Sequence, residues 1–335
     1  MNTTEFMLQL AKNLVAERKV AENTAAAYVK VLYVLNDKRP FKNLTFLKAT
    51  DEIDKKVAEY AESTQRSILA SIVSVLSLFK DKATFKKPYQ HYYSAMMTKS
   101  QNAKEVEQKN EKTTTQKDNW LSWEDVEKHT AELYEKASKF MGQKTLDPSQ
   151  FDVLLQFMIL ALYTDIQPRR NQDYLDMYIV KKWTEAMPKD KNYLDMATKH
   201  FIFNKYKTAK KYGTQKEEIP ERLWDRLSAY LKYHPLWRGV AKRKTDPVKL
   251  LVASDGEPIV AVNAITRVLN KVFGKKVGSS MLRHIYLSSK YGDTLAERKK
   301  DSAAMGHSLE VQKTYIKNDT IDEPETKEEV EADEE

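Results

Sequence analysis

Near its C-terminal end the chain reads Ser280-Met281-Leu282-Arg283-His284-Ile285-Tyr286, then Met305-Gly306-His307-Ser308, then Tyr315. An arginine, two histidines and a tyrosine thus share a short helical segment with one Gly-His break, and these residue types suit chemistry on a phosphodiester. A guanidinium binds two phosphoryl oxygens at once, an imidazole donates or accepts a proton near neutral pH, and a phenol can attack phosphorus. A second cationic group stands at Asp165-Ile166-Gln167-Pro168-Arg169-Arg170-Asn171-Gln172-Asp173-Tyr174-Leu175. A third is the lysine-rich run Asn204-Lys205-Tyr206-Lys207-Thr208-Ala209-Lys210-Lys211.

The elements that must position these groups are legible from periodicity. Phe151 to Tyr163 is an almost wholly apolar run and predicts a buried helix, so the arginines that follow it, beside a proline that fixes the turn, are held by the core and aimed outward. His200-Phe201-Ile202-Phe203 and Lys216 to Pro220, with a turn at Tyr212-Gly213, predict a β-hairpin whose arm carries the lysines. Lys249 to Val252 reads as a further strand. Glu221 to His234 and Asn263 to Phe273 read as helices, the second ended by Gly274, and Lys275-Lys276 lead into the stretch around Arg283. Ser122 with Asp125 three residues on is close to a capping box and opens this half of the chain. His284 fits a buried structural imidazole, and Tyr286 and Tyr291 fit packing positions.

The N-terminal part predicts four short amphipathic helices: Thr4 to Arg18, a run capped at Asn23-Thr24, one from Thr50-Asp51 with Ile53, Val57 and Tyr60 inward, and one from Ser63 through Phe79. From Lys86 to Asn119 apolar residues thin out, which predicts an interdomain linker, with Tyr89, Tyr92 and Tyr93 extending the last helix. The expected division is a helical domain at 1–88, a polar linker at 89–119, a second domain at 120–317 and an acidic tail at 318–335.

A chain of 335 residues suits two domains, and 41% hydrophobic residues suffice for buried cores. There is no cysteine, which excludes disulfides, thiolate zinc sites and cysteine nucleophiles and fits a reducing compartment. Neither a signal-peptide pattern nor an apolar run long enough for a membrane span is present, so a soluble, intracellular, non-secreted protein is expected. The formal net charge of +8 hides an asymmetry. Asn318 to Glu335 holds ten acidic residues against one lysine, a net of −9, which leaves +17 on residues 1–317. A body that basic has a polyanion as its expected partner, and the phosphate backbone is the commonest one. The acidic tail reads as a disordered solubilising segment or as a shield for the basic body when its polyanion is absent.

These motifs resemble those of the tyrosine recombinase (phage integrase) family. That family carries Gly-Leu-Arg-x-x-Glu-Leu after a buried helix, a lysine in a β-hairpin, His-x-x-Arg-His, Leu-Gly-His-Ser and then the nucleophilic tyrosine. The resemblance implies a mainly α fold with a small β-sheet: an N-terminal helical core-binding domain that clamps DNA, and an α+β catalytic domain. It maps the catalytic set onto Arg170, Lys207, Arg283, His307 and Tyr315, with Arg169, Lys210 and Lys211 as alternatives. Asp173 stands where the family has glutamate and is expected to orient the arginine or cap the next helix. Ser280 stands where many members have histidine and retains a hydroxyl for a phosphoryl oxygen. His284 is a possible support for the chemistry. Tyr315 lies eight residues after His307, one fewer than usual.

The activity implied is site-specific DNA recombination or integration through a 3′-phosphotyrosyl intermediate, with no metal, ATP or other cofactor. The general look of the Gln-Pro-Arg-Arg and Leu-Arg-His motifs points to a virus or mobile element. Implied partners are double-stranded DNA, contacted also by Lys205, Lys210, Lys211, Lys275 and Lys276, and other copies of the chain in a homotetramer on DNA. The compartment is wherever the target DNA lies: cytoplasm, nucleus or virion. A type IB topoisomerase, a telomere resolvase and a decayed DNA-binding protein are the competing readings.

Overall fold

The structure, a computed structural model, describes residues 4–109, 111–237, 247–305 and 312. It is mostly helical with one small mixed sheet of five strands. By its internal contacts the chain divides into two compact units, Met1–Lys112 and Thr113–Glu335. Among the described residues no helix is long and apolar enough to cross a membrane.

In the first unit α1 (Glu5–Arg18), α2 (Glu22–Leu35), α3 (Thr50–Ala58) and α4 (Glu62–Ser77) bury one face each around Met7, Leu14, Leu32, Ile53, Ile72 and Leu76. Thr4 caps α1 through the Met7 amide. Tyr60, expected inward, follows the end of α3 and is 39% exposed. The stretch expected as a polar linker is largely helical. α5 (Ala83–Lys109) runs through it, and the unit boundary falls between Lys112 and Thr113. Tyr92 explains why the helix stays with this unit: its ring is fully buried in the core and its hydroxyl donates to the Leu47 carbonyl at 2.9 Å.

The second unit opens with α6 (Thr114–Asn119) and α7 (Trp123–Ser138), whose Ser122–Asp125 capping box is fully formed. The central element is α8 (Pro148–Thr164), with Phe151, Leu154 and every residue from Phe157 to Tyr163 buried. From Phe157 to Tyr163 it is apolar on all sides and must be covered on all sides, and α7, α11 (Glu221–Tyr233) and α12 (Val262–Phe273) pack against it. α12 ends at Gly274 in the left-handed region, as its glycine predicted.

After α8 come the single-turn α9 (Asn171–Leu175) and a sheet of order β4-β3-β2-β1-β5. β1 (Met177–Val180) pairs in parallel with β2 (Asn192–Asp195); β2 with β3 (His200–Phe203), β3 with β4 (Gln215–Glu218), and β1 with β5 (Val248–Lys249) are antiparallel. The expected β3–β4 hairpin is present. Its arm contains one helical turn, α10 (Ala209–Tyr212), which Gly213 at φ +66° ends. The last described helix, α13 (Ser279–Met305), holds 27 residues and is far longer than the short segment expected around Arg283.

Candidate functional site

Arg170 precedes α9 as its N-cap residue with extended backbone. Among the described residues its side chain has neither a hydrogen bond nor an ion pair. The next residue fixes it in place: buried Asn171 accepts from the Tyr163 hydroxyl at 2.8 Å and donates to Thr266 Oγ1 at 2.9 Å and to the Val262 carbonyl at 3.2 Å. Thr266 on α12 in turn lies against Gly278, where an added Cβ would meet its methyl at 3.4 Å. Gly278 accepts from the Leu282 amide at the start of α13. Leu282 and Ile285 are buried in the core, so Arg283 between them is held on the same helix face edge, with Nε 3.4 Å from the Ser279 carbonyl.

Arg170 and Arg283 are therefore neighbours, and their electrostatics agree. Burial, and after it the like charge of Arg170, pull the Arg283 pKa below the ordinary arginine value; Asp173 and the Tyr163 phenol oppose the shift. Tyr163 itself is fully buried, and burial holds its pKa far above that of a free phenol. It is a strut between α8 and α9.

Arg169 is placed differently. Its guanidinium stacks 3.7 Å from the Phe203 ring centroid. It pairs with Asp173 at 3.1 Å and Glu217 at 3.5 Å, and donates to Gln215 Oε1 at 3.0 Å. Burial lifts the Asp173 and Glu217 carboxyls above the usual range in spite of this arginine. Asp173 thus orients Arg169, and Arg169 joins the α8–α9 junction to the return strand of the hairpin. Asp165 is likewise structural. This carboxylate at the end of α8 is almost fully buried and pairs with Arg226 at 2.7 Å and Arg222 at 3.2 Å, which offsets its unfavourable place at a helix C-terminus.

The lysine arm is anchored at its base. Asn192, completely buried, donates to the Asp173 and Lys205 carbonyls, both at 2.9 Å, and accepts from the Asn204 and Lys205 amides at 2.9 and 2.8 Å. Across the neck, Thr214 donates to Asn204 Oδ1 at 2.9 Å. Lys205 pairs with Asp176 at 3.0 Å, and Asp176 also accepts from Gln172 at 2.7 Å. Burial would raise the Asp176 carboxyl, yet these hydrogen bonds and the charges of Lys205 and Lys249 hold it below the usual range. Lys207 and Lys210 are exposed on the arm, and the Lys211 ammonium lies 5.5 Å from the Tyr212 ring.

Of the remaining expected residues, Ser280 is exposed at the start of α13. Lys275 donates to the Trp120 carbonyl at 3.3 Å, and the Lys276 amide donates to Asn119. His284, expected as a buried imidazole, is exposed instead, because it follows Arg283 on the face of α13 turned from Leu282 and Ile285. Tyr291 is also exposed, at 50%, whereas Tyr286 packs edge-on against Trp123. His307 and Tyr315 lie outside the described residues. Between them Gln312 is buried and accepts from Arg298 Nε at 3.1 Å.

Sequence reasoning passed over Asn171, Asn192, Gln215, Glu217 and Thr266. Asn192 gave no usable signal, since a polar residue in a buried strand points to hydrogen bonds only once the strand itself is recognised. The others read as ordinary spacers until the fold joins segments about 90 residues apart, as Asn171 and Thr266 are.

No family model matches the chain, and no curated protein matches it. A crystal structure of XerA recombinase is similar at 13% identity and a TM-score of 0.34, with 94% of each chain covered, a likeness too distant to bear on function.

Proposed function

We propose that the second unit is a DNA strand transferase of the tyrosine recombinase type, acting in site-specific recombination or integration. The observation that carries this reading is the convergence of Arg170 and Arg283, two guanidiniums that repel each other, while Asp173, the carboxylate whose charge acts on both, is bonded to Arg169. A phosphodiester placed between them would relieve the repulsion and accept forked hydrogen bonds from both.

On this reading Tyr315 attacks the scissile phosphorus. The bond from phosphorus to the phenolic oxygen forms as the bond to the 5′-oxygen breaks, the phenolic proton leaves to solvent, and Lys207 protonates the leaving oxygen. Arg170, Arg283 and His307 neutralise charge on the nonbridging oxygens in the transition state. The 3′-phosphotyrosyl link conserves the bond energy, and attack by a 5′-hydroxyl of a second duplex reverses the step. Ser280 and His284, exposed near Arg283, are further phosphate contacts, with Lys210, Lys211, Lys275 and Lys276 on the flanking backbone. Four copies on two DNA sites would complete an exchange.

The test is incubation of the whole chain with nicked duplexes randomised around the nick, in EDTA, followed by a denaturing gel. A protein–DNA adduct that disappears in Tyr315→Phe is expected. DNA binding without any adduct would overturn the enzymatic reading in favour of a non-catalytic DNA-binding protein.

A further inference from the structure

The carboxamide of Asn192 is saturated. A primary amide offers two N–H donors and two acceptor lone pairs, and all four are used: two on Lys205 and one each on Asn204 and Asp173. The contacts join two segments distant in sequence. Asp173 lies in the single turn whose backbone holds Arg170, since the Asp173 amide donates to the Arg170 carbonyl at 3.0 Å. Lys205, gripped at both its amide and its carbonyl, lies two residues before Lys207, a span of at most about 7 Å of chain. The Asn192 amide itself donates to the Asp176 carbonyl, so backbone and side chain of one residue hold the end of α9 from two sides.

We propose that Asn192 is a positioning residue for proton delivery: it locks the base of the lysine arm to the Arg170 turn, so that Lys207 is presented at the leaving oxygen of a phosphate held by the arginines. This inference rests on the function proposed above. The Thr214–Asn204 bond, with Asn204 Nδ2 donating to the Lys191 carbonyl at 3.0 Å, closes the neck and assists the same lock. Beyond the neck the lysines are exposed, while half-buried Tyr206 packs against the core, with the Arg169 guanidinium 5.5 Å from its ring and its hydroxyl donating to the Gly213 carbonyl. The aim of the arm is therefore decided at the neck and at the residue just before Lys207.

A positioning role is separable from a merely structural one by the leaving group. An alkoxide leaves only with a proton, whereas a thiolate leaves unprotonated because a thiol is far more acidic than an alcohol. A duplex with sulfur in place of the bridging 5′-oxygen thus cleaves by breaking the P–S bond without a general acid. The sequence recovered as adduct from the randomised pool would be made in oxygen and sulfur forms. Cleavage rates would be measured for wild type, Lys207→Ala, Arg170→Ala, Asn192→Ser and Thr214→Val.

On oxygen, Lys207→Ala is expected to lose about 10²-fold or more, Asn192→Ser a comparable factor and Thr214→Val less. On sulfur all three should recover to near the wild-type rate, while Arg170→Ala stays slow on both. Asn192→Ser and Thr214→Val slow on both substrates, or at wild-type rate on oxygen, would overturn the proposal. So would a Lys207→Ala enzyme that sulfur does not restore. If Asn192→Ser does not fold, Thr214→Val, which loses only a hydroxyl, decides alone. Absence of any adduct with wild type would instead remove the functional reading on which the proposal stands.

Discussion

Adjacent arginines in one turn have opposite surroundings. Arg169 is neutralised by Asp173 and Glu217 and stacked on Phe203, whereas Arg170 makes no ion pair among the described residues and feels the like charge of Arg283 beside a weaker pull from Asp173. Arg169→Ala leaves two poorly solvated carboxylates facing each other, and breaking such a pair costs about 3 kcal/mol. Arg170→Ala removes a repulsion from Arg283 and an opposing attraction to Asp173, and should change stability by no more than about 0.5 kcal/mol, yet lower adduct formation about 10²- to 10³-fold. Urea unfolding of the second unit together with the adduct assay checks the pair; the reverse pattern would exchange their roles. The Arg-x-x-acid-x-Leu spacing singled out Arg170 in the sequence, because that motif is local. The work of Arg169 was hidden, because its partners Gln215 and Glu217 lie on β4, brought back by a hairpin whose register only the folded sheet defines. His284 was misread for a different reason. Its burial was expected from its place after Arg283 in the motif, whereas the buried positions of α13 here are Leu282 and Ile285 and His284 is exposed.

Among elements, the join between α11 and β5 carries a titratable group. His234 is buried, with Nε2 3.0 Å from the Lys249 carbonyl, and the Trp237 amide donates to Nδ1 at 3.0 Å. The ring is therefore the neutral tautomer protonated at Nε2, and a second proton on Nδ1 would face an N–H donor. Burial lowers its pKa from 6.5 to about 4, against the pull of the backbone carbonyls. The unfolded state then binds a proton below pH 6.5 that the folded state refuses. Stability is fully present above pH 6.5 and falls as pH drops toward 4, by about 3 kcal/mol in all. Asp165, Asp173 and Glu217, whose carboxyls burial raises, act in the opposite sense, losing stability as pH rises through their folded values. The difference between wild type and His234→Gln isolates the histidine. The wild-type profile should be steeper between pH 6.5 and 4, and parallel profiles would refute the assignment. The helix before this join, α11, was readable from apolar spacing, whereas β2 was not. Of four residues with Asn192 and Asp195 at the ends only Tyr193 favours a strand and there is no alternation, so what makes them a strand is burial between β1 and β3.

At the scale of the whole chain, two cores divide it between Lys112 and Thr113, and composition placed the end of the first helical domain some twenty residues too early. Polar residues along α5 suggested a spacer although Tyr89, Tyr92 and Tyr93 were expected to extend the last helix, since an average over a window underweights a few inward side chains. Tyr92 is fully buried and bonded to Leu47, Ala95 and Met96 pack on the same core, and His91 pairs with Asp54 at 2.7 Å. A fragment of residues 1–112 should therefore unfold as one cooperative unit. A fragment of residues 1–88 lacks all of these contacts, and removal of one buried aromatic side chain alone costs about 3–5 kcal/mol. Set against the about 5–15 kcal/mol that holds a small domain together, that loss should leave the shorter fragment largely unfolded at 25 °C. Circular dichroism melting of the two fragments checks this. Equal melting points would mean that α5 beyond residue 88 is a spacer after all, and that the core of the first unit closes on its four preceding helices.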